Sequence, residues 1–331
     1  MGSRSIHSRH SATAAALIFS VAILFSPVHA ADSPAATFGI VEDPFARIGD
    51  TFQTMSGAGR GADLLFADNF EQFGDPFSCN LANWSSTVGL TDTDTGTPPD
   101  SRRYSGPCGL RVQGGANGFV TNFLPSLEPS LVVRFYFFPE LFTAPALIYS
   151  ADDDGINQIE LWYNLQGVDT LSLRVFDTSK APFDLTASDI VPGRWYSVEF
   201  SWAAGSPADI RLEVVGNTPQ VVNAQVETAG LVIEAQNLGL INGLTVGGGI
   251  DFDAFESRRV LPIGRLPVGD VLGDGLYGAQ DLVKLVNELD GDDLALGQPD
   301  CNEDGVIDQS DFFCVLAIIA NQPSPNPFPL P

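Results

Sequence analysis

The sequence predicts a mainly β chain: an antiparallel two-sheet sandwich (jelly roll) with a small C-terminal α domain of two loop–helix repeats. Three observations predict it. Short runs of alternating apolar and polar residues recur from about residue 65 to 260, turn residues punctuate those runs, and an acidic motif near the end repeats after 30 residues. The alternation marks half-buried antiparallel strands, which hide their apolar faces by packing sheet on sheet.

The strands come first. Trp195 to Trp202 puts Tyr196, Val198, Phe200 and Trp202 on one face and Ser197, Glu199 and Ser201 on the other. Ile159–Tyr163, Leu171–Val175 and Ile210–Val214 alternate in the same way, with turn signals at Asp154-Gly155, Pro192-Gly193, Gly205-Ser206-Pro207 and Gly216-Asn217. Asp152-Asp153-Asp154-Gly155 reads first as a hairpin turn and second as a metal ligand set. Trp84, Trp195 and Trp202 are expected in the core. Trp162 is out of phase with Ile159, Leu161 and Tyr163 and is expected to face solvent near Glu160 and Asn164. An indole beside hydrogen-bonding groups suits stacking on the apolar face of a sugar, which makes these three the candidate ligand-binding residues.

Composition narrows the function. The 331 residues carry 41 acidic against 16 basic side chains, a net charge of −25. Phosphate binding needs a basic face, so nucleic acid is excluded as a partner. Arg4 and Arg9, the apolar run Ala14–Phe25 and the small residues of Val28-His29-Ala30 have the layout of a secretory signal peptide cleaved after Ala30. The first 30 residues hold two Arg and no acid, so their removal leaves 14 basic against 41 acidic residues, a net charge of −27. It also removes His7, His10 and His29, every histidine in the chain, and with them His-based acid–base catalysis, Ser-His-Asp triads and His-ligated metals. No later apolar run is long enough to span a bilayer. Export permits disulfides. Cys79, Cys108, Cys301 and Cys314 fall in two well-separated local pairs, although four cysteines allow three pairings and free thiols are the alternative.

The C-terminal repeat carries the most specific chemistry. Asp270, Asp274, Gly275 and Asp281 recur as Asp300, Asp304, Gly305 and Asp311. Behind them Leu282, Leu285, Val286 and Leu289 recur as Phe312, Val315, Leu316 and Ile319, one apolar face of a helix in each unit. In the second loop Asp300, Asn302, Asp304, Asp308 and Asp311 place side-chain oxygens at EF-hand positions 1, 3, 5, 9 and 12. Gly305 supplies the sharp turn at position 6, and Val306 offers its carbonyl at position 7. This spacing wraps oxygens around one point, as calcium requires. The first loop keeps Asp270, Asp274, Asp281 and the carbonyl of Leu276 but has Leu272 and Gly278 at positions 3 and 9, so weaker binding is expected.

Asp at position 12, no helix ahead of each loop and paired units resemble the type I dockerin family over residues 269–320. That resemblance implies a domain that folds around calcium and plugs into a cohesin-type protein partner. The departure is Cys301 and Cys314, where the first unit has Val271 and Lys284. A bridge there would brace the loop against its helix, which points to a module stabilised for its own sake.

Phe66-Ala67-Asp68-Asn69-Phe70-Glu71, Trp84 and the closing run Ile250–Arg259 resemble the first and last strands of a concanavalin A-like lectin/glucanase (LamG-type) sandwich over residues 65–263. Glycosidases of that family carry a Glu-Asp-Glu strand whose outer carboxyls lie about 5–5.5 Å apart. Here the nearest match, Asp251-Phe252-Asp253-Ala254-Phe255-Glu256, begins with Asp and sits in the closing strand, so no catalytic residue is assigned. The resemblance also implies a structural calcium between first and last strands, with Glu71, Asp251 and Asp253 as candidates; solvated edge carboxylates are the alternative.

The expected organisation is a signal peptide (1–30), a loosely ordered segment (31–64), the sandwich (65–263), a linker (264–268), the calcium module (269–320) and a Pro-rich tail (321–331). The expected function is that of a secreted, calcium-binding, non-catalytic lectin-like protein that binds a glycan or polysaccharide and carries a dockerin-like module for extracellular attachment or assembly. A divergent glycoside hydrolase or accessory subunit, and a structural surface protein, are the competing readings.

Overall fold

The computed structural model describes residues 63–321 apart from 73–77, 90, 95–101, 114, 116, 143, 217 and 243–247. The expected signal peptide, residues 31–62 of the N-terminal segment and residues 322–331 of the tail lie outside the described residues.

The described chain is mainly β, an antiparallel two-sheet sandwich with a small helical C-terminal part. One sheet runs β12 (Pro182–Ala187), β11 (Leu171–Phe176), β10 (Ile156–Tyr163), β9 (Ala146–Asp153), β16 (Ile233–Leu240), β7 (Gly118–Glu128) and β4 (Ser86–Gly89). The other runs β15 (Gln220–Val226), β14 (Ala208–Val215), β13 (Tyr196–Ala203), β8 (Ser130–Pro139), β17 (Gly249–Arg258), β6 (Gly109–Gln113) and β5 (Thr91–Asp94). In that second sheet β1 (Leu64–Asp68) pairs with the latter half of β17. A short ribbon of β2 (Glu71–Gln72) and β3 (Ser78–Cys79) stands beside them, tied by the disulfide Cys79–Cys108 to the start of β6.

Alternation does what the sequence requires of it. Leu161, Leu173 and Leu185 face each other across β10, β11 and β12 and are buried, while their neighbours point outward. Trp84 and Trp202 lie in this core, with Phe135, Phe137, Phe200 and Phe252 from the opposing sheet. Removing a ring of that size from such a core costs about 3–5 kcal/mol. The Asp154-Gly155 pair forms the β9–β10 hairpin turn, with φ of 50° and 74°. Two successive left-handed residues suit the twist of the flanking strands, and Asp and Gly are the residues that tolerate them.

Strand β8 breaks the alternation. Leu131, Val133, Phe135 and Phe137 face the sandwich core, yet Val132, Tyr136 and Phe138 on the opposite face are buried as well. That outer face is covered by residues 260–268 and by the C-terminal module, built from α1 (Ala279–Leu289) and α2 (Gln309–Asn321). Leu266 packs on Tyr136, Phe138 and Trp195, and its N–H donates to the Tyr136 hydroxyl (2.6 Å). Glu199 accepts the N–H groups of Ile263 and Gly264 (3.2 and 2.6 Å). The expected linker is thus fastened along the sheet, and Trp195 belongs to this outer aromatic layer instead of the sandwich core.

Candidate functional site

The two loops share one hydrogen-bond pattern, repeated 30 residues apart. Asp270 Oδ2 accepts the Gly275 N–H and Asp300 Oδ2 the Gly305 N–H, both at 2.8 Å. Asp281 accepts from Leu272 and Gly278 (3.1 and 2.8 Å), and Asp311 accepts from Asn302 and Asp308 (3.1 and 2.8 Å). Asp274 and Asp304 each accept from the residue two further on, Leu276 and Val306. The first and last carboxylates of each loop, Asp270, Asp281, Asp300 and Asp311, are therefore turned inward and buried.

The second loop adds Asn302, which accepts from Asp304 N–H (2.9 Å) and donates to Asp304 Oδ2 (2.9 Å), and Asp308, which accepts from Ser310 (2.7 Å). Among the described residues no Lys or Arg side chain pairs with Asp300 or Asp311. Burial, with Asp311 and Asp304 nearby, pushes the Asp300 carboxyl up to about 8, and burial pushes Asp311 up to about 6. A pair of buried carboxylates lacking a cationic side chain is an environment a hard divalent cation would neutralise. The donor chemistry fits calcium, although among the described residues no group of three or more acidic, His or Cys side chains is gathered closely enough to grip an ion as it stands. Asp270 is likewise raised by burial and by Asp281.

The predicted apolar faces of the helices are only partly used. Leu285 and Val315 are buried with Val271 and Ala295, while Val286, Leu289 and Leu316 remain exposed. The disulfide Cys301–Cys314 links the second loop to α2.

The sandwich carboxylates go to separate tasks. Asp251 is held by both oxygens on Arg111 Nη1 (2.8 Å each), with Arg102 at 3.5 Å, and this sets it apart from the grouping expected of it with Glu71 and Asp253. Asp253 accepts the N–H groups of Tyr104, Ser105 and Ala254 (2.6, 2.8 and 2.6 Å), and burial, opposed by those bonds, leaves it at about 7. Ala254 is left-handed (φ 47°) at the irregularity where β17 changes partners, which is what aims Asp253 at the 104–105 backbone. Glu71, raised by burial and by Asp253, lies close to Arg103. Glu256 is paired with Arg134 (3.2 Å) and Arg258 (2.5 Å).

On the outer face of the seven-stranded sheet, a row of polar residues crosses the strands in register: Thr121, Asn237, Ser150, Glu160, Arg174 and Asp184. They bond along the row, Thr121 to Asn237 (2.7 Å), Asn237 to Ser150 (3.1 Å) and Arg174 to Asp184 (2.8 and 3.0 Å). Trp162 stands half-buried on this face, its Nε1 donating to Glu160 Oε2 (2.7 Å), and Asn157 holds the other Glu160 oxygen (2.8 Å). Asn164 does not join them. It is buried in a left-handed turn (φ 62°), its amide spent on Phe142 C=O (3.0 Å) and Asp169 N–H (2.8 Å). The polar row was invisible to local pattern reading, because its members come together only through strand register.

The chain matches no protein-family model and no curated protein. Among solved structures it is similar to an endo-β-1,4-glucuronan lyase from the fungus Trichoderma reesei, with 14% identity over 54% of this chain and 92% of that one and a TM-score of 0.43. It is similar too to the binding domain of botulinum neurotoxin DC in complex with SialylT (9% identity, 60% of this chain, 48% of that one, TM-score 0.42). A third is the receptor-binding domain of botulinum neurotoxin type G (10%, 52%, 43%, TM-score 0.35). The chain thus spans nearly all of the lyase and under half of the toxin domains.

Proposed function

We propose that this is an exported, calcium-stabilised glycan-binding protein without catalytic activity. The observation that carries the reading is the hydrogen-bonded polar row beside Trp162. A half-buried indole fixed by Glu160 offers a rigid apolar plane, and the partly exposed members of the row, Asn237, Glu160, Arg174 and Asp184, offer donors and acceptors at strand spacing, about 4.8 Å between neighbouring strands, while Thr121 and Ser150 are buried beneath. That combination suits a sugar chain lying across the strands. Calcium in the second loop is supported by its oxygen donors and its buried carboxylates. Export is supported by the signal-peptide layout and by the two disulfides, which persist in oxidising compartments; no described helix is long and apolar enough to cross a membrane.

A hydrolase reading would need two free carboxyls in an open groove. Asp251 and Asp253 are fully buried, and Glu256 is committed to two arginines. The test is a glycan array with full-length protein and Trp162→Ala. Retained binding by the variant, or hydrolysis lost in both Asp251→Asn and Glu256→Gln, would overturn the proposal.

A further inference from the structure

The second loop is also the surface by which the module meets the sandwich. Its position 4, Glu303, adopts the left-handed conformation (φ 60°) that Gly273 supplies in the first loop. A side chain there costs about 1–2 kcal/mol, and in this loop its carboxylate is engaged. Glu303 accepts from the Tyr104 hydroxyl (2.7 Å) and pairs with Arg265, while its carbonyl accepts the Trp195 N–H (3.2 Å). Two residues on, Gly305 sits at φ 81° against Phe138, where a Cβ would collide with the ring. Positions 4 and 6 flank Asp304 at position 5, so the segment that shapes the ion site is the segment that docks.

Resting on the calcium reading above, we infer that the second loop is an ion-dependent latch: a cation gathered by Asp300, Asp304 and Asp311 holds Glu303 and Gly305 in register with Tyr104 and Phe138. Ion release loosens the module from the outer face of the eight-stranded sheet and uncovers its aromatic layer. Ion binding and docking then share one coupling free energy, and each must strengthen the other by the same factor.

The test uses the full chain. Hydrogen exchange is followed with calcium and after chelation, and calcium affinity is measured by calorimetry for wild type, Glu303→Gly and the milder Tyr104→Phe. Glu303→Gly keeps the backbone conformation, as Gly273 does, and deletes the side-chain contact. The expected result is faster exchange in residues 103–106, 134–138 and 194–196 on chelation, unchanged exchange in β9 and β10, and affinity lowered about five-fold or more in Glu303→Gly. Faster exchange confined to residues 300–311, with equal affinities in all three proteins, overturns the latch and leaves calcium binding standing. Absence of any calcium heat overturns the calcium reading itself.

Discussion

Arg103, at the entry to β6, and Glu288, in the last turn of α1, form an ion pair in which both side chains are wholly buried. They are 185 residues apart in sequence. Arg103 also donates to the Gly106 carbonyl, and Glu288 accepts the Ala295 N–H (2.9 Å), so the pair ties the sandwich to the module and closes the connection between its two units. Burial lowers the Arg103 guanidinium to about 10, against the pull of Asp253 and Glu71.

Removing Glu288 takes from the buried Arg103 guanidinium its carboxylate partner in the module, leaving it only the longer-range pull of Asp253 and Glu71 and its bond to the Gly106 carbonyl. Glu288→Ala is expected to destabilise the protein by about 3–5 kcal/mol, whereas the double variant Arg103→Met, Glu288→Leu should recover much of the loss. Urea unfolding of the three proteins checks this; equal losses in the single and double variants would refute it.

The glycine at position 6 of the second loop answers to two demands at once. Gly305→Ala places a Cβ at φ 81° and against the Phe138 ring. A loss of about 1–2 kcal/mol is expected from conformation alone, with more from the collision. Gly275→Ala in the first loop, where the space is open, should show the conformational part only. Thermal melts of the two variants, with Phe138→Ala as a background that relieves the collision, separate the contributions.

The loops should respond unequally to calcium. Saturation at about 100 times the dissociation constant adds about 2.7 kcal/mol of stability. Asp300→Asn or Asp311→Asn is expected to abolish most of that gain, and Asp270→Asn or Asp281→Asn to leave most of it, because the first loop lacks side-chain oxygens at positions 3 and 9. Scanning calorimetry with and without calcium reads the difference, and equal effects in the two loops would contradict it.

Acid should weaken the β6–β17 edge through Glu140. Burial would raise its carboxyl, but hydrogen bonds from Arg111, the Gly249 N–H and Arg102 outweigh it and hold it at about 2. A carboxyl depressed from 4.5 in the unfolded chain stabilises the fold fully above that value and loses its contribution as pH falls toward 2. Glu140→Gln should therefore be less stable than wild type at neutral pH and converge with it near pH 2. Denaturant midpoints across that range provide the measurement.

The sequence by itself determined the strands, the turns and the two loops, because each is written in neighbouring residues. Alternation at Tyr196–Trp202 needs only the period of a strand, the Asp154-Gly155 hairpin needs two residues that accept positive φ, and Gly305 follows five residues after Asp300 whatever lies elsewhere. The cysteine pairing was legible for the same reason, since each pair closes a local ring. Tertiary structure alone decided what those pieces meet. Glu288 looks like an ordinary helix acid until Arg103 reaches it, and Asp251 looks like a metal ligand until Arg111 takes both its oxygens. The nearly continuous apolar run of β8, interrupted only by Arg134, and the Arg102-Arg103 doublet in an acidic chain were the faint signals that its outer face is covered. Which element covers it, and which polar side chains line up beside Trp162, depends on contacts between residues far apart in sequence, and local periodicity carries no record of those.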